Sequence, residues 1–230
     1  MTFFVGLFVM WVVSLCLPQQ NAYEIFIIPK PLAKLVLKRM SLLSLINLKS
    51  LYVGIACMSL LSIFFYETLF TKLGLQLPIN PFEKEILNVM NVAPSQNHPN
   101  SWAFVWAFYI LYTYFQFEPS ANMFLYFFEY RISKWTSWAS VRGVKGRGIW
   151  SLFQSFSKTF KGNFINIRKS NRNPNLLEGF PLYWSSQPES QLPRSPDDLD
   201  PNEMSDCQTL NNLGILFETS VLLKLSSQWS

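Results

Sequence analysis

Residues that commonly carry catalysis or bind metals are scarce in this sequence. It contains one histidine, His98, and three cysteines, Cys16, Cys57 and Cys207, among 230 residues. The cysteines lie far apart without a paired spacing, whereas disulfide frameworks and zinc sites both need ligands at short, regular intervals. The sequence therefore predicts no metal site, and it predicts free thiols in a reducing compartment.

Acidic residues are also placed unfavourably for catalysis, because every aspartate falls between residues 197 and 206. Enzymes that cut or join phosphodiesters need two or three carboxylates from separate elements around metal ions. The Asp-Thr-Gly and Asp-Ser-Gly sequences of aspartic proteases are absent. The glycine cluster GVKGRG at 143–148 lacks the ending of a P-loop and the spacing of a dinucleotide fingerprint, so it indicates a turn between strands. We predict a protein that is not an enzyme and has no catalytic residues and no cofactor.

His98 stands in the stretch NVAPSQNHPNSW at 91–102 and is the first residue to test for a catalytic role. A histidine acts as a base only beside a nucleophile or an orienting carboxylate, and the sequence has no acidic residue between Glu85 and Glu118. A lone histidine before a proline at a helix start more often caps the helix or packs. We therefore predict a structural role for His98.

The prolines and amides around His98 predict a joint between two helices. Pro94 and Pro99 are expected to end the first helix, because proline cannot continue the backbone hydrogen bonding. Asn100 or Ser101 is expected to cap the second helix.

Three central apolar helices are predicted, near 81–90, 100–117 and 120–130. The first carries a capping box in which Asn80 precedes Pro81 and Glu83 occupies the third helical position. The second is apolar nearly all round, which is typical of a helix at the centre of a core.

Alternating β-branched and aromatic residues predict a small strand region near 135–184. Residues 185–200 are rich in Ser, Pro and Asp and are expected to form a flexible loop. A second capping box then predicts C-terminal helices after the loop. The predicted fold class is α+β, predominantly helical.

Two apolar runs raise a membrane alternative. Residues 1–17 have the length of a signal peptide or short span but lack a positively charged start and a cleavage pattern, so an anchor and a segment without that role both stay open. Residues 51–66 fall short of the roughly 20 that a spanning helix needs. Burial in a core is slightly favoured for this second run, and the basic loop between the two runs favours a cytoplasmic side.

Charge is distributed unevenly along the chain. Residues 130–177 hold ten basic residues and no acidic one, whereas residues 178–230 hold eight acidic residues and two basic ones. A basic block interleaved with tryptophan and phenylalanine could neutralise phosphates and stack bases of RNA or DNA, or it could pair with the acidic tail. The candidate nucleic-acid contacts are Arg131, Lys134, Arg142, Lys145, Arg147, Lys158, Lys161, Arg168, Lys169 and Arg172.

Several segments together carry a family resemblance. The most specific are APSQNHPNSW at 93–102 and GFPLYW at 179–184, and FYETLFTKLGLQLP, ANMFLYFFEYR and SLFQSFSKTFKGNF support them. Read together, they resemble the plant gypsy-type transposon domain, a gag-like family of retrotransposon proteins, from about residue 64 to residue 225. The resemblance implies a structural piece of a mobile element and carries no catalytic residues.

The resemblance also divides the chain. Residues 1–60 lie outside it, residues 61–184 form the gag-like domain, 185–200 the flexible loop, and 201–230 a C-terminal helical segment that continues the match. We expect a non-enzymatic gag-like structural or interaction protein, and a truncated copy. The alternative is a small membrane-anchored protein.

The gag-like and the membrane-anchored hypotheses predict different partners and locations. Self-association is expected of a gag-like protein, in the cytoplasm or nucleus, and RNA or DNA binding is expected through the basic block at 130–177. Membrane contact through residues 1–17 and 51–66 is expected if these apolar segments insert.

Overall fold

A computed structural model describes residues 24–28, 62–133, 138–152, 163–168, 176–185, 188, 192–213 and 217–218. The strands are β1 (Glu24–Ile28), β2 (Ser62–Tyr66), β3 (Phe128–Ile132), β4 (Ala139–Gly143), β5 (Trp150–Leu152), β6 (Phe164–Arg168) and β7 (Phe217–Glu218). The helices are α1 (Glu67–Thr71), α2 (Pro81–Met90), α3 (Pro99–Tyr114), α4 (Ala121–Phe127) and α5 (Pro201–Asn212), and Pro196–Asp198 form a 3-10 turn.

The strands form three small sheets. β6 lies between β1 and β2 in an antiparallel sheet, β3 pairs with β4 antiparallel, and β5 pairs with β7 in parallel. Phe164, Ile165 and Ile167 of β6 are all buried, which is the pattern of a central strand covered on both faces. The described residues therefore form a mixed α/β fold, in which helix exceeds strand without dominating it.

The predicted capping box starts α2 as expected. The Asn80 side chain accepts a hydrogen bond from the Glu83 N–H (2.8 Å), and the Glu83 carboxylate accepts one from the Asn80 N–H (2.9 Å). Pro81 occupies the first helical position, where its missing N–H costs nothing. The helix then buries Phe82, Ile86 and the other apolar residues on that face.

Helix α3 is the centre of the core, as its uniformly apolar sequence predicts. The ring of Phe108 is fully buried and lies 5.2 Å from that of Phe124, 5.6 Å from that of Phe82 and 4.1 Å from that of Tyr112. Aromatic pairs at such separations stabilise beyond the area they bury. Three helices are therefore joined through one aromatic cluster.

The helix predicted over 120–130 is wrong at its C-terminal end. The helix stops at Phe127, and Phe128–Ile132 form β3 because they pair with β4. Alternation explains the switch: Phe128 and Tyr130 are buried while Glu129 and Arg131 point outward. The helix predicted over 100–117 also differs, since it begins at Pro99 and ends at Tyr114.

Helix α5 begins at the second predicted capping box. Asp200 accepts hydrogen bonds from the N–H groups of Asn202 (2.8 Å) and Glu203 (2.9 Å). Glu203 also accepts a hydrogen bond from the Ser120 hydroxyl (2.5 Å), and Ser120 caps α4. One carboxylate thus serves its own helix and ties that helix to α4.

The apolar run 51–66 ends in a strand. Residues 62–66 form β2, in which Ile63, Phe65 and Tyr66 are buried, so burial is confirmed for this end of the run. Residues 1–17 and 51–61 lie outside the described residues. Within the described ranges, no helix is long and apolar enough to cross a membrane.

Candidate functional site

Three consecutive polar side chains are buried in the joint before α3. Ser95, Gln96 and Asn97 are each at most 1% exposed. Buried polar groups are destabilising unless they find hydrogen-bond partners. Their partners therefore define what this stretch does.

The joint binds the segment that ends in Trp184. The indole Nε1–H of Trp184 donates to Ser95 Oγ (2.9 Å). The Gln96 amide makes two hydrogen bonds with Ser185, donating to its carbonyl (3.0 Å) and accepting from its N–H (2.9 Å). Nearby, the Asn88 amide donates to the Gly179 carbonyl (2.7 Å). The two most distinctive stretches of the sequence, 93–102 and 179–184, therefore contact each other.

Other buried donors converge on the same joint. The Tyr66 hydroxyl donates to the Ser95 carbonyl (2.7 Å), and the Trp102 Nε1–H donates to the Pro94 carbonyl (3.0 Å). Burial raises the pKa of Tyr66 above its usual value, so its phenol stays protonated and remains a donor. The joint thus connects β2, α3 and residues 184–185.

The joint also covers the outer edge of β4. The Ala139 N–H donates to the Gln96 carbonyl (3.0 Å), and the His98 N–H donates to the Ala139 carbonyl (2.9 Å). Farther along, the Val141 N–H donates to Ser101 Oγ (3.0 Å). Unpaired strand edges invite pairing with other chains, so these bonds protect the sheet.

His98 is the N-cap residue of α3, and its predicted structural role is confirmed. Its Nδ1 accepts a hydrogen bond from the Asn100 N–H (3.1 Å), so a neutral ring carries its proton on Nε2. The prediction that Asn100 or Ser101 caps the helix is wrong. Pro99 begins α3 instead of ending the preceding segment, because proline suits the first helical position.

Replacing His98 by alanine is expected to lower the free energy of unfolding by about 0.5–2 kcal/mol, the usual cost of a lost N-cap. His98→Asn should restore most of the loss, because asparagine is a favoured N-cap and does not provide an imidazole. Urea denaturation followed by circular dichroism measures both. An unchanged stability in the alanine variant would contradict the capping role.

A cleft of about 410 Å3 lies between the start of α3 and β4. Its lining residues are His98, Asn100, Ser101, Phe104, Ser140, Val141, Arg142 and Gly143. None of these is a carboxylate that could orient the imidazole for base catalysis. The cleft offers an arginine and hydroxyl and amide groups, which suit an anion better than an acyl-transfer reaction.

The structure separates the described members of the basic block. Arg131 and Arg142 both donate through Nε to Glu129 Oε1, at 2.9 Å for Arg131. These two arginines therefore pair with Glu129 and not with the acidic tail. Lys145 is exposed in the turn after β4, and Arg168 is half-buried on β6. Lys134, Lys158, Lys161, Lys169 and Arg172 lie outside the described residues.

Arg147 is committed to internal contacts. Its Nη1 donates to the carbonyls of Tyr126 (3.2 Å) and Arg194 (2.5 Å), and its guanidinium lies over the Tyr126 ring at 4.4 Å. These contacts link Arg194 to Tyr126 of α4. Arg147 therefore has a structural role.

The sequence did not predict that two titratable groups, Glu83 and Cys207, are buried. Glu83 is almost fully buried, and burial raises its pKa to about 8 although the hydrogen bond from Asn80 opposes the shift. Burial likewise raises the pKa of the Cys207 thiol to about 12, and its Sγ lies 3.6 Å from the Tyr112 hydroxyl. Across the described part of the chain, no group of His, Cys, Asp and Glu is arranged to hold a metal ion.

Comparison with known protein families found one match in this region. Residues 63–132 match the family model described as "Putative gypsy type transposon". This segment is similar to the gypsy-type transposon family. The resemblance is confirmed there, and its continuation toward residue 225 stays a prediction. Neither the curated proteins nor the solved structures gave a match.

The transposon-family segment contains only one side of the joint. Ser95 and Gln96 lie within residues 63–132, whereas Trp184 and Ser185 lie beyond them. The hydrogen bonds between the two sides show that the folded unit extends past the matched segment. Both stretches are distinctive in the sequence, but no sequence pattern indicates that they contact each other.

Proposed function

We propose that the chain is a non-enzymatic, gag-like structural and interaction module of a gypsy-type transposon. The observation that carries this proposal is that the distinctive stretch 93–102 is hydrogen-bonded to the rest of the fold. Its buried side chains bond to backbone groups and to Trp184, and its histidine caps a helix. Residues whose side chains form internal hydrogen bonds in this way have a structural role.

The other groups with reactive chemistry have comparable roles in the fold. Glu83 completes the capping box of α2, and Glu203 completes that of α5 while holding Ser120. The raised pKa of Cys207 keeps its thiol protonated at neutral pH, whereas a nucleophilic cysteine needs a lowered pKa. These placements support a scaffold over a catalyst.

Self-association tests the proposal, because a gag-like module acts by packing against other copies. The molar mass of the full chain should be measured by light scattering across micromolar concentrations. We expect the mass to rise with concentration beyond that of one chain, 26.7 kDa. A constant monomer mass throughout would contradict the interaction role.

A further inference from the structure

The β3–β4 pair has one buried face and one charged face. Phe128, Tyr130 and Ala139 point into the core. By alternation and register, Glu129 and Arg142 are directly opposite each other on the outer face, where Arg131 is opposite Ser140. The outer face therefore brings two arginines together around one carboxylate.

The carboxylate of Glu129 orients both guanidinium groups. Its Oε1 accepts hydrogen bonds from the Nε atoms of Arg131 and Arg142. The arginine side chains are each 57% exposed, against 17% for Glu129. Among the described residues, the hydrogen bonds and ion pairs of Arg131 and Arg142 run through Nε, so the terminal Nη nitrogens of both side chains are left for a ligand. One negative charge between two positive ones leaves this face with an unneutralised cation.

We propose that this face, the Glu129-centred arginine pair, binds the phosphodiester backbone of a single-stranded nucleic acid. A guanidinium fork fixed at Nε presents its terminal nitrogens in the planar geometry that matches two phosphate oxygens. Fixing the fork in advance also reduces the side-chain entropy lost on binding.

The neighbouring cleft favours one strand over a duplex. Arg142 and Ser140 line the cleft of about 410 Å3 beside the start of α3. A space of this size admits a nucleotide of an extended strand, whereas a duplex is too broad to enter it. Contacts to phosphate carry no base information, so binding is expected to tolerate any sequence.

Of the basic residues proposed from the sequence, Arg131 and Arg142 lie on this face and contact the nucleic acid. Arg147 does not contact it, because both Nη1 hydrogen bonds go to carbonyl groups of the chain and its guanidinium covers Tyr126.

Fluorescence anisotropy of the full chain with a labelled oligouridine, titrated at several salt concentrations, tests the proposal. In Arg131→Gln/Arg142→Gln the affinity at low salt should fall at least tenfold, a loss of about 1.4 kcal/mol. The slope of log K against log salt should shrink by about 1.4, since each lost phosphate contact removes about 0.7 for a single strand.

Two further variants keep the test independent of folding. Lys72→Gln/Lys84→Gln removes the same charge from α1–α2 and should retain most of the affinity. Glu129→Gln removes the negative charge of the pair, while its amide Oε1 can still accept hydrogen bonds from both Nε atoms and orient them, so it should bind at least as tightly as the parent chain.

Several results would overturn the proposal. These are equal losses in the two double variants, affinity indifferent to salt, and weaker binding by Glu129→Gln. Displacement of the oligouridine by phosphatidylserine vesicles at matched phosphate would reassign the face to membranes. The proposed scaffold role is tested separately by molar mass, so either result can fail without the other.

Discussion

Replacement of Trp184 by alanine is expected to lower the free energy of unfolding by about 3–5 kcal/mol. The indole is buried and its N–H donates to Ser95 Oγ, so the substitution removes both packing and a hydrogen bond. Domains are commonly stable by only about 5–15 kcal/mol, so the expected loss is a large fraction of the total. Chemical denaturation followed by far-ultraviolet circular dichroism measures it.

The adjacent tyrosine provides a matched control. Tyr183 is 68% exposed, and Tyr183→Ala should change stability by less than about 0.5 kcal/mol. Similar effects at the two positions would mean that residues 179–184 do not dock on the joint as the structure has them.

Replacement of Glu83 by glutamine is expected to remove most of a pH dependence of stability. The carboxyl has a pKa of about 8 in the folded chain against 4.5 as the ordinary value, because it is buried. Between these values the folded state keeps a proton that the unfolded state has lost. The free energy of unfolding of the parent chain therefore falls as pH rises from about 4.5 to 8, by an amount of the order of a few kcal/mol.

Glutamine suits the third position of a capping box and does not titrate, so Glu83→Gln should show a much flatter profile over the same range. Glu118→Gln makes the same charge change at an exposed position and should keep the slope of the parent chain. Denaturation at a series of pH values decides between them. Parallel profiles for Glu83→Gln and the parent chain would contradict a buried, protonated Glu83.

Local signals account for the parts of the fold that the sequence predicts well. The capping boxes at Asn80 and Asp200 each involve residues three positions apart, so α2 and α5 could be placed from a few adjacent letters. The apolar character of α3 likewise predicted its central position. These features depend little on the rest of the chain.

Long-range pairing accounts for what the sequence did not predict. Phe128 follows a helical run without a break, and only pairing with β4 shows where the helix gives way to a strand. Trp184 and Ser95 are 89 positions apart, so no local pattern links them. Similarly, Glu129 lies just outside the basic block, and the register of two strands makes it the partner of Arg131 and Arg142.

A double-mutant cycle between Ser95 and Trp184 tests most directly whether the distinctive stretch serves as a structural joint. Ser95→Ala removes the acceptor, and Trp184→Phe removes the donor while keeping an aromatic ring. Either single change breaks the same hydrogen bond, so the joint predicts a coupling free energy of about 1 kcal/mol, with the double variant more stable than the sum of single losses implies. Additive losses, within about 0.3 kcal/mol, would contradict the joint.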